Sequence, residues 1–211
     1  ATQPSTIPGT GIADAFSTAI TDGSAAWKFV AKQTLAWVVQ ESYGYSLVID
    51  KAALLDGGYG YRMVDTLSTG SSYPNWVWSF DMECDHNYTH GVTLDAGEGA
   101  YLDVWSGSSP AGRGIQIGSA FRGEVQIRPG SRIMGNYLDG ILVNGGEDVQ
   151  IDDVFVGANS QAASGTYNGI TIGANVTGWK VRGCKSGDLP SGSNLQGYGL
   201  YVNSGCNHYI V

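Results

Sequence analysis

The sequence predicts an all-β chain folded as a solenoid, in which short strands stack in successive coils. The main observation is a phrase of glycine, aliphatic, any residue and aliphatic that occurs five times, at residues 91–94, 114–117, 140–143, 169–172 and 199–202. Successive glycines of this phrase are 23, 26, 29 and 30 residues apart. A period of this length, with glycine-rich corners between short strands, is typical of stacked β-solenoids.

A second strand-like run follows each phrase, after a second glycine. The second glycines are Gly97, Gly118, Gly145, Gly173 and Gly205, and the runs after them begin near residues 101, 124, 148, 179 and 208. Regularly spaced strands also occur in antiparallel sandwiches, which is the alternative fold. The repetition of strand, glycine, strand and loop in one order favours the solenoid.

Alternation within each phrase predicts which side chains face the interior. Aliphatic residues two apart share a face, as Val92 and Leu94 do, and stacked coils would align them in columns with a spacing of about 4.8 Å. The residue between them, Thr93, would point outward. We expect the glycines at tight corners, because glycine tolerates positive φ angles and a close approach of the backbone. The differences in repeat length predict outer loops at residues 106–113, 157–168 and 186–197.

Length and composition indicate one domain, or one domain with a small cap. The chain has 211 residues, of which 42% are hydrophobic and 14% charged, with 32 glycines and 6 prolines. Hydrophobic content at this level is enough for a core, and the lack of a strict glycine period excludes collagen. Twelve tyrosines and six tryptophans outnumber five phenylalanines. Aromatic side chains with a polar group suit wet, sugar-binding surfaces as well as strands.

Charge and cysteine content exclude several other classes. The net charge is −8 and no basic run occurs, which argues against nucleic-acid binding. No apolar run is long enough for a membrane-spanning helix, and we expect no membrane insertion. Three cysteines, Cys84, Cys184 and Cys206, are too few for a disulfide framework and are expected to be thiols within the coils.

The two ends of the chain differ from the regular repeats. Residues 1–11, with Pro4 and Pro8, read as a linker. Residues 12–25 are a possible cap, in which 12–20 could form a short helix or a strand followed by a turn. The coils would occupy residues 26–211 and become regular from residue 90. Because Val211 lies within a predicted strand, we expect the chain to be a fragment of a longer protein with further coils.

The repeat phrasing resembles that of bacteriophage tailspike and tail-fibre β-helices, which belong to the pectate-lyase-like superfamily. The resemblance covers roughly residues 27–211 and is carried best by residues 181–184 (Val-Arg-Gly-Cys) and 196–205 (Gln-Gly-Tyr-Gly-Leu-Tyr-Val-Asn-Ser-Gly). It implies a right-handed, single-stranded parallel β-helix. It also implies a parallel homotrimer on a virion, joined to other tail proteins, made in the host bacterial cytoplasm and acting outside the cell.

The same resemblance implies a function in adsorption to a host-surface polysaccharide, often with cleavage of that glycan. Such a chain would be a polysaccharide depolymerase with endoglycosidase activity. Two alternatives stay open: a non-catalytic structural segment of a virion fibre, and a secreted polysaccharide lyase of the same fold. Outward apolar residues that could meet a partner subunit are Leu142, Tyr201 and Trp105.

Residues 77–84 form a predicted strand that carries two of the acidic candidates. The alternation predicts that Trp78, Phe80, Met82 and Cys84 share one face and that Ser79, Asp81 and Glu83 share the other. Glycoside hydrolases use two carboxylates, about 5–5.5 Å apart in retaining and 6.5–9.5 Å apart in inverting enzymes. Asp81 and Glu83 are two residues apart, which places their Cβ atoms about 7 Å from each other.

Asp103 is the third candidate catalytic residue, with Asp81 and Glu83. It would lie on a neighbouring coil and share its outward side with Tyr101 and Trp105. These two aromatic residues and Trp76 are the candidate substrate-binding residues. The alternative interpretation is that all three carboxylates are ordinary solvated residues on the outside of the coil, where polar residues are routine.

Lyase chemistry and metal binding receive less support from the sequence. Lyases of this superfamily combine Ca²⁺-binding carboxylates with a basic residue. The basic candidates are Lys180, Arg182, Arg128 and Arg132, but no three acids converge near them in the sequence. The three histidines, His86, His90 and His208, are too scattered for a metal motif. We therefore expect neither a metal nor a cofactor.

Overall fold

A computed structural model describes residues 19–22, 25–28, 36–40, 46–65, 76–109, 111–174, 176–187, 196–206 and 208–210. These residues form nineteen strands and no helix. The strands are β1 (Ala19–Asp22), β2 (Ala25–Lys28), β3 (Ala36–Gln40), β4 (Leu47–Asp50), β5 (Tyr59–Met63), β6 (Trp76–Asp85), β7 (His90–Leu94), β8 (Gly99–Gly107), β9 (Ile115–Ile117), β10 (Glu124–Ile127), β11 (Arg132–Met134), β12 (Ile141–Val143), β13 (Asp148–Asp152), β14 (Phe155–Gly157), β15 (Ile170–Ile172), β16 (Trp179–Arg182), β17 (Lys185–Gly187), β18 (Leu200–Val202) and β19 (His208–Ile210).

The strands from β3 onward form a parallel β-solenoid. Each strand pairs in parallel with its counterparts in the coils before and after it, and consecutive strands of one coil do not pair. The result is about five complete coils with a partial coil at each end, which confirms the predicted fold class. Strands β1 and β2 are separate from this arrangement and pair with each other in the antiparallel sense.

Each coil has three sides, which we call faces one, two and three. Face one consists of β3, β5, β7, β9, β12, β15 and β18. Face two consists of β4, the first halves of β6 and β8, and then β10, β13, β16 and β19. Face three consists of the second halves of β6 and β8, followed by β11, β14 and β17. The long strands β6 and β8 therefore run from face two to face three.

Aliphatic columns fill the interior, as the repeated phrase predicts. On face one, the members of the two columns are in register and at most 1% exposed: Val92, Ile115, Ile141 and Ile170 in one, and Leu94, Ile117, Val143 and Ile172 in the other. Burying one such side chain stabilises a fold by about 1.5–3 kcal/mol. Because every coil adds members to the same columns, the core extends along the whole described solenoid.

The phrase glycines fill one of the two roles expected of them. None of the five has a positive φ angle. A Cβ atom on Gly114 would lie 2.3 Å from Cγ2 of Ile133, and one on Gly140 would lie 2.6 Å from Cγ1 of Val156. Both neighbours belong to face three, so the start of face one packs directly against the inner side of face three. Glycine is needed there for close approach rather than for backbone conformation.

Buried asparagines stabilise the corner between faces three and one. Asn87, Asn136 and Asn159 are fully buried at this corner in different coils. Asn87 donates to the carbonyl of Leu54 at 2.7 Å, and Asn159 donates to the carbonyl of Ile133 at 3.2 Å. Asn159 also accepts from the backbone N–H of Asn136 at 3.1 Å. These side chains satisfy backbone groups that the sheets leave unpaired where the chain turns.

The remaining predictions about organisation are tested only in part. The predicted linker, residues 1–11, lies outside the described residues, as does most of the possible cap at residues 12–25. Ala19 and Ile20, at the end of the possible helix, belong to β1. The three cysteines are free thiols, with Cys84 buried and the other two half-buried. Within the described ranges, no helix has the length and apolar character needed to cross a membrane.

Candidate functional site

A bulge in β6 organises the outer surface around the predicted site. Ser79 is in register with Leu102 of the next coil, but Met82 is in register with Val104. Two residues, Phe80 and Asp81, therefore oppose a single residue of β8, and Asp81 has a φ angle of 50°. This arrangement is a β-bulge, which reverses the in–out alternation of the residues after it.

The predicted orientation of β6 is wrong in its first half because of this bulge. Trp78 and Phe80 point outward and are 36% and 37% exposed, whereas Ser79 is fully buried. After the bulge the alternation is as predicted, with Met82 and Cys84 buried. Asp81 is exposed and Glu83 is half-buried on the outer side. The bulge thus brings aromatic and acidic side chains of one strand to the same outer surface.

Four aromatic rings form a continuous group on this surface, which we call the aromatic surface (Trp76, Trp78, Phe80 and Tyr101). Trp76 and Trp78 are stacked, with ring centroids 5.4 Å apart. The centroid of Trp78 lies 5.0 Å from that of Tyr101 on the next coil, and the centroid of Phe80 lies 6.5 Å from it. The guanidinium of Arg128 lies 4.5 Å from the Tyr101 centroid, within cation–π range.

The three predicted carboxylates lie beside the aromatic surface on two adjacent coils. Asp103 opposes the bulge that contains Asp81, and Glu83 is in register with Trp105, which is 48% exposed. Backbones of adjacent strands are about 4.8 Å apart. Tyr101, Asp103 and Trp105 alternate on the outer side of β8. Trp76 and Tyr101 are on face two, and Glu83 and Trp105 are on face three. The six residues predicted from the sequence therefore lie along the corner between two faces, on two adjacent coils, and their role in binding or catalysis stays a prediction.

The carboxylates Asp81, Glu83 and Asp103 form no ion pair with any described residue. Acid–base chemistry on a glycosidic bond requires two carboxylates close to each other, and these three lie on adjacent strands. One would donate a proton to the leaving oxygen, and another would act as nucleophile or as base for a water molecule.

The sequence interpretation missed Trp78 and Phe80 as outward residues. The missed signal was the alignment of successive coils. Val77 occupies the inward column of Val125 and Val149, so the next residue of each strand, Trp78 included, must point outward. The alternation of residues 78–84 alone does not show this, because Trp78, Phe80, Met82 and Cys84 are apolar residues spaced two apart and look like one face of a single strand.

A second polar cluster, on face one, was not predicted. Asp139 is buried and accepts from Nε of Arg113 at 3.1 Å, from the backbone N–H of Asn168 at 3.1 Å and from Oγ1 of Thr171 at 2.8 Å. These partners come from the coils before and after it. Since three donors already hold this carboxylate, the cluster is a structural tie between coils.

His90 lies next to this cluster and is buried. Its Nδ1 accepts from the backbone N–H of Arg113 at 2.9 Å, and the ring of Tyr59 packs edge-on at 5.8 Å. Burial, and after it the positive charges of Arg113 and Arg62, together lower the pKa of His90 from 6.5 to about 4. His90 is therefore neutral near pH 7 and serves the packing of face one.

Two basic candidates for lyase chemistry lie beside the predicted site, since Arg132 is in register with Trp105 and Arg128 packs on Tyr101, whereas the candidates for metal binding are not brought together. Arg182 forms an ion pair with Asp152 at 2.9 Å, and Arg128 lies over Tyr101. His86 contacts its neighbour Asp85 at 3.0 Å. In the part of the chain that the structure describes, no group of three or more histidine, cysteine or acidic side chains could hold a metal ion.

Comparison with known proteins adds no relative to this description. No family model, no curated protein and no solved structure matches the chain. Its fold class is therefore established by its own architecture, as an all-β parallel solenoid.

Proposed function

We propose that this chain is the polysaccharide-binding β-helix of a phage tailspike or tail fibre, with the glycan lying across the aromatic surface and Trp105. The observation that carries the proposal is the contiguous set of exposed and half-buried rings on β6 and β8. The apolar faces of sugar rings pack against aromatic side chains, and the remaining hydroxyl groups need polar neighbours. Carboxylates at the edge of the aromatic surface provide such neighbours.

The position of the rings supports a binding role over ordinary surface composition. The outward column of face two contains Val48, Trp78 and Tyr101 in three successive coils, and then Gln126, Gln150 and Lys180 in the next three. The two rings therefore belong to an apolar stretch of this column rather than to isolated positions. A contiguous apolar patch on an outer face marks an interaction site more often than chance exposure does.

Cleavage of the bound glycan is the second part of the proposal. Asp81, Glu83 and Asp103 would supply the acid and the nucleophile or base. Retaining enzymes use two carboxylates about 5–5.5 Å apart, and the opposition of Asp103 to the bulge that carries Asp81 supports this pair. In that mechanism one carboxylate forms a glycosyl–enzyme bond while the other protonates the leaving oxygen, and water then releases the sugar.

The virion setting and the homotrimer belong to the same proposal and rest on the resemblance. Leu142 and Tyr201 point outward from face one, and Trp105 points outward from face three. In a trimer of parallel copies, face one of each chain could pack against face three of the next at these apolar residues. Light scattering would show a mass three times that of the chain, and a monomer at all concentrations would contradict the trimer for this chain.

Binding should be measured first, with O-antigen and capsular polysaccharides purified from candidate hosts. Trp78→Ala should weaken the affinity at least tenfold, because the variant removes the central ring of the aromatic surface. Tyr137→Ala is the matched control, since Tyr137 is an exposed aromatic residue outside that surface. No binding to any preparation, or equal loss in both variants, would contradict the proposal.

Cleavage is measured by release of reducing ends. The same measurement on the single variants Asp81→Asn, Glu83→Gln and Asp103→Asn identifies the carboxylates required for cleavage, because loss of release marks a required group. Binding without release by the wild type would favour the alternative of a non-catalytic fibre segment. A Ca²⁺-dependent rise in ultraviolet absorbance on uronate polymers would instead favour the lyase alternative.

A further inference from the structure

The corner between faces two and three has an unusual length at Asp103. This corner is the stretch between the last inward residue of face two and the first inward residue of face three. It has two residues in most coils, 80–81, 152–153 and 182–183, and three at 128–130. In the coil of β8 it consists of Asp103 alone, between the buried Leu102 and Val104.

The other corners turn through a left-handed residue that this corner lacks. Asp81, Gly130, Asp153 and Gly183 have φ angles of 50°, 94°, 50° and 64°. Asp103 has no positive φ angle. Because the coils before and after are longer at this point, Asp103 is in register with no residue of either coil, although the carbonyl of Leu102 still accepts from the N–H of Arg128 at 2.8 Å.

Two buried serines replace the missing ladder contacts. Oγ of Ser79 accepts from the N–H of Asp103 at 3.1 Å and donates to the carbonyl of Asp103 at 3.3 Å. Oγ of Ser131 accepts from the N–H of Val104 at 3.1 Å and donates to the carbonyl of Leu102 at 3.4 Å. The short corner is thus held from the coil before it and from the coil after it.

Both serines occupy positions that are apolar in the other coils. Ser79 stands in the inward column of Ile49, Leu102, Ile127, Ile151 and Val181. Ser131 stands level with Val104 and Val154. Burying a hydroxyl group in such a column is unfavourable unless the group is hydrogen-bonded. The two serines are therefore explained by the short corner alone.

We infer that the short corner is a built feature of the glycan site, in which Asp103 contacts the glycan and Ser79 and Ser131 are positioning residues. This inference rests on the proposed function. The corner opposes the bulge that carries Asp81, and it lies between Tyr101 and Trp105 on β8. Irregular backbone of this kind is concentrated where a side chain must be aimed at a ligand.

The test compares Ser79→Ala and Ser131→Ala with two other variants. Ser79→Thr keeps the hydroxyl group and adds a methyl group at a position that is Leu102 or Ile127 in neighbouring coils. Ser109→Ala is the matched control, because Ser109 is buried and its Oγ has no partner. Amide hydrogen exchange at Asp103 and Val104 reports the hydrogen bonds, and affinity for O-antigen polysaccharide from the host strain reports the site.

The Asp103 amide in Ser79→Ala and the Val104 amide in Ser131→Ala should exchange at least tenfold faster than in the wild type. Both variants should bind the polysaccharide at least fivefold more weakly. Ser79→Thr should restore both values, and Ser109→Ala should change neither. Unchanged affinity in Ser79→Ala, while the wild type binds, refutes this inference and leaves the proposed function standing. A wild type that binds no preparation refutes the proposed function and this assignment with it.

Discussion

Acid should destabilise the solenoid through His90, which offers a quantitative test of the packing of face one. The neutral ring is favoured in the folded chain by burial, by the nearby charges of Arg113 and Arg62, and by the hydrogen bond that its Nδ1 accepts. Protonation at Nδ1 would break that hydrogen bond. Because the pKa is lower in the folded chain than in the unfolded chain, the unfolded chain binds more protons at mildly acidic pH, and stability falls as the pH falls.

The size of the effect follows from the two pKa values. With a pKa of 6.5 unfolded and about 4 folded, the His90 contribution begins to be lost below pH 6.5 and is almost fully lost below pH 4. The linkage relation gives a loss of about 2 kcal/mol at pH 5 and about 3 kcal/mol at pH 4. Between pH 6.5 and pH 5 the loss of stability is due to the histidine, since few carboxylates of the unfolded chain take up protons above pH 5.

Urea unfolding of the wild type and of His90→Gln at pH 7 and pH 5 measures this contribution. The glutamine oxygen can accept from the N–H of Arg113, but the side chain takes up no proton. The wild type should lose about 2 kcal/mol more free energy of unfolding than the variant between the two pH values. Equal losses in the two proteins would show that His90 is not held neutral and would refute the described environment.

Three further substitutions test the packing. Gly114→Ala should lower the free energy of unfolding by about 1–3 kcal/mol, because the added methyl group overpacks against face three. Gly187→Ala, where the added Cβ has no neighbour within 4 Å, should leave the thermal unfolding midpoint unchanged, and equal midpoints in the two variants would contradict the close approach. Gly99→Ala should displace the Trp76 indole, because the added Cβ would overlap that ring. The circular dichroism signal from the stacked pair of Trp76 and Trp78 should then disappear, and an unchanged spectrum would count against that pair. Asp139→Ala should destabilise the chain by about 1–3 kcal/mol, because the N–H of Asn168 and the hydroxyl group of Thr171 lose their acceptor. A loss below about 1 kcal/mol would refute the tie between coils.

The solenoid could be predicted from the sequence because its core depends on local alternation. Val92 and Leu94 are two residues apart, and the same pair of positions is aliphatic in each repeated phrase. A strand must then bury that face, and equal phrases at a coil-length period must stack. Close approach was one of the two roles expected of the phrase glycines, but the element that they approach, face three, could not be predicted, since it depends on how the coil closes.

The candidate site could be predicted only in part because corner lengths vary. Alternation gave the outward side of β8 correctly, at Tyr101 and Trp105. In β6 the extra residue at Phe80 and Asp81 changes the parity, so Trp78 was expected inside. One residue more or less in a corner reverses which side chains of the following strand point inward. The corner lengths can be read from a single sequence only after its coils have been aligned with one another.

The polar cluster of face one could not be predicted for a related reason. Arg113 and Asp139 are 26 residues apart and occupy the same coil position, immediately before the phrase glycine. The phrase itself does not specify this position, and the residue there differs in every coil. Ion pairs between coils therefore appear only when the chain is folded.

The most direct test is hydroxyl-radical footprinting of the exposed aromatic residues, with and without O-antigen polysaccharide from the host. A glycan lying across β6 and β8 should protect Trp78, Phe80 and Trp105 from oxidation. Tyr137 and Tyr198, which are exposed elsewhere on the solenoid, should be oxidised equally in both samples. Protection of Tyr198 alone, or no change at Trp78 under conditions where the polysaccharide is bound, would contradict the assignment of the aromatic surface as the glycan site.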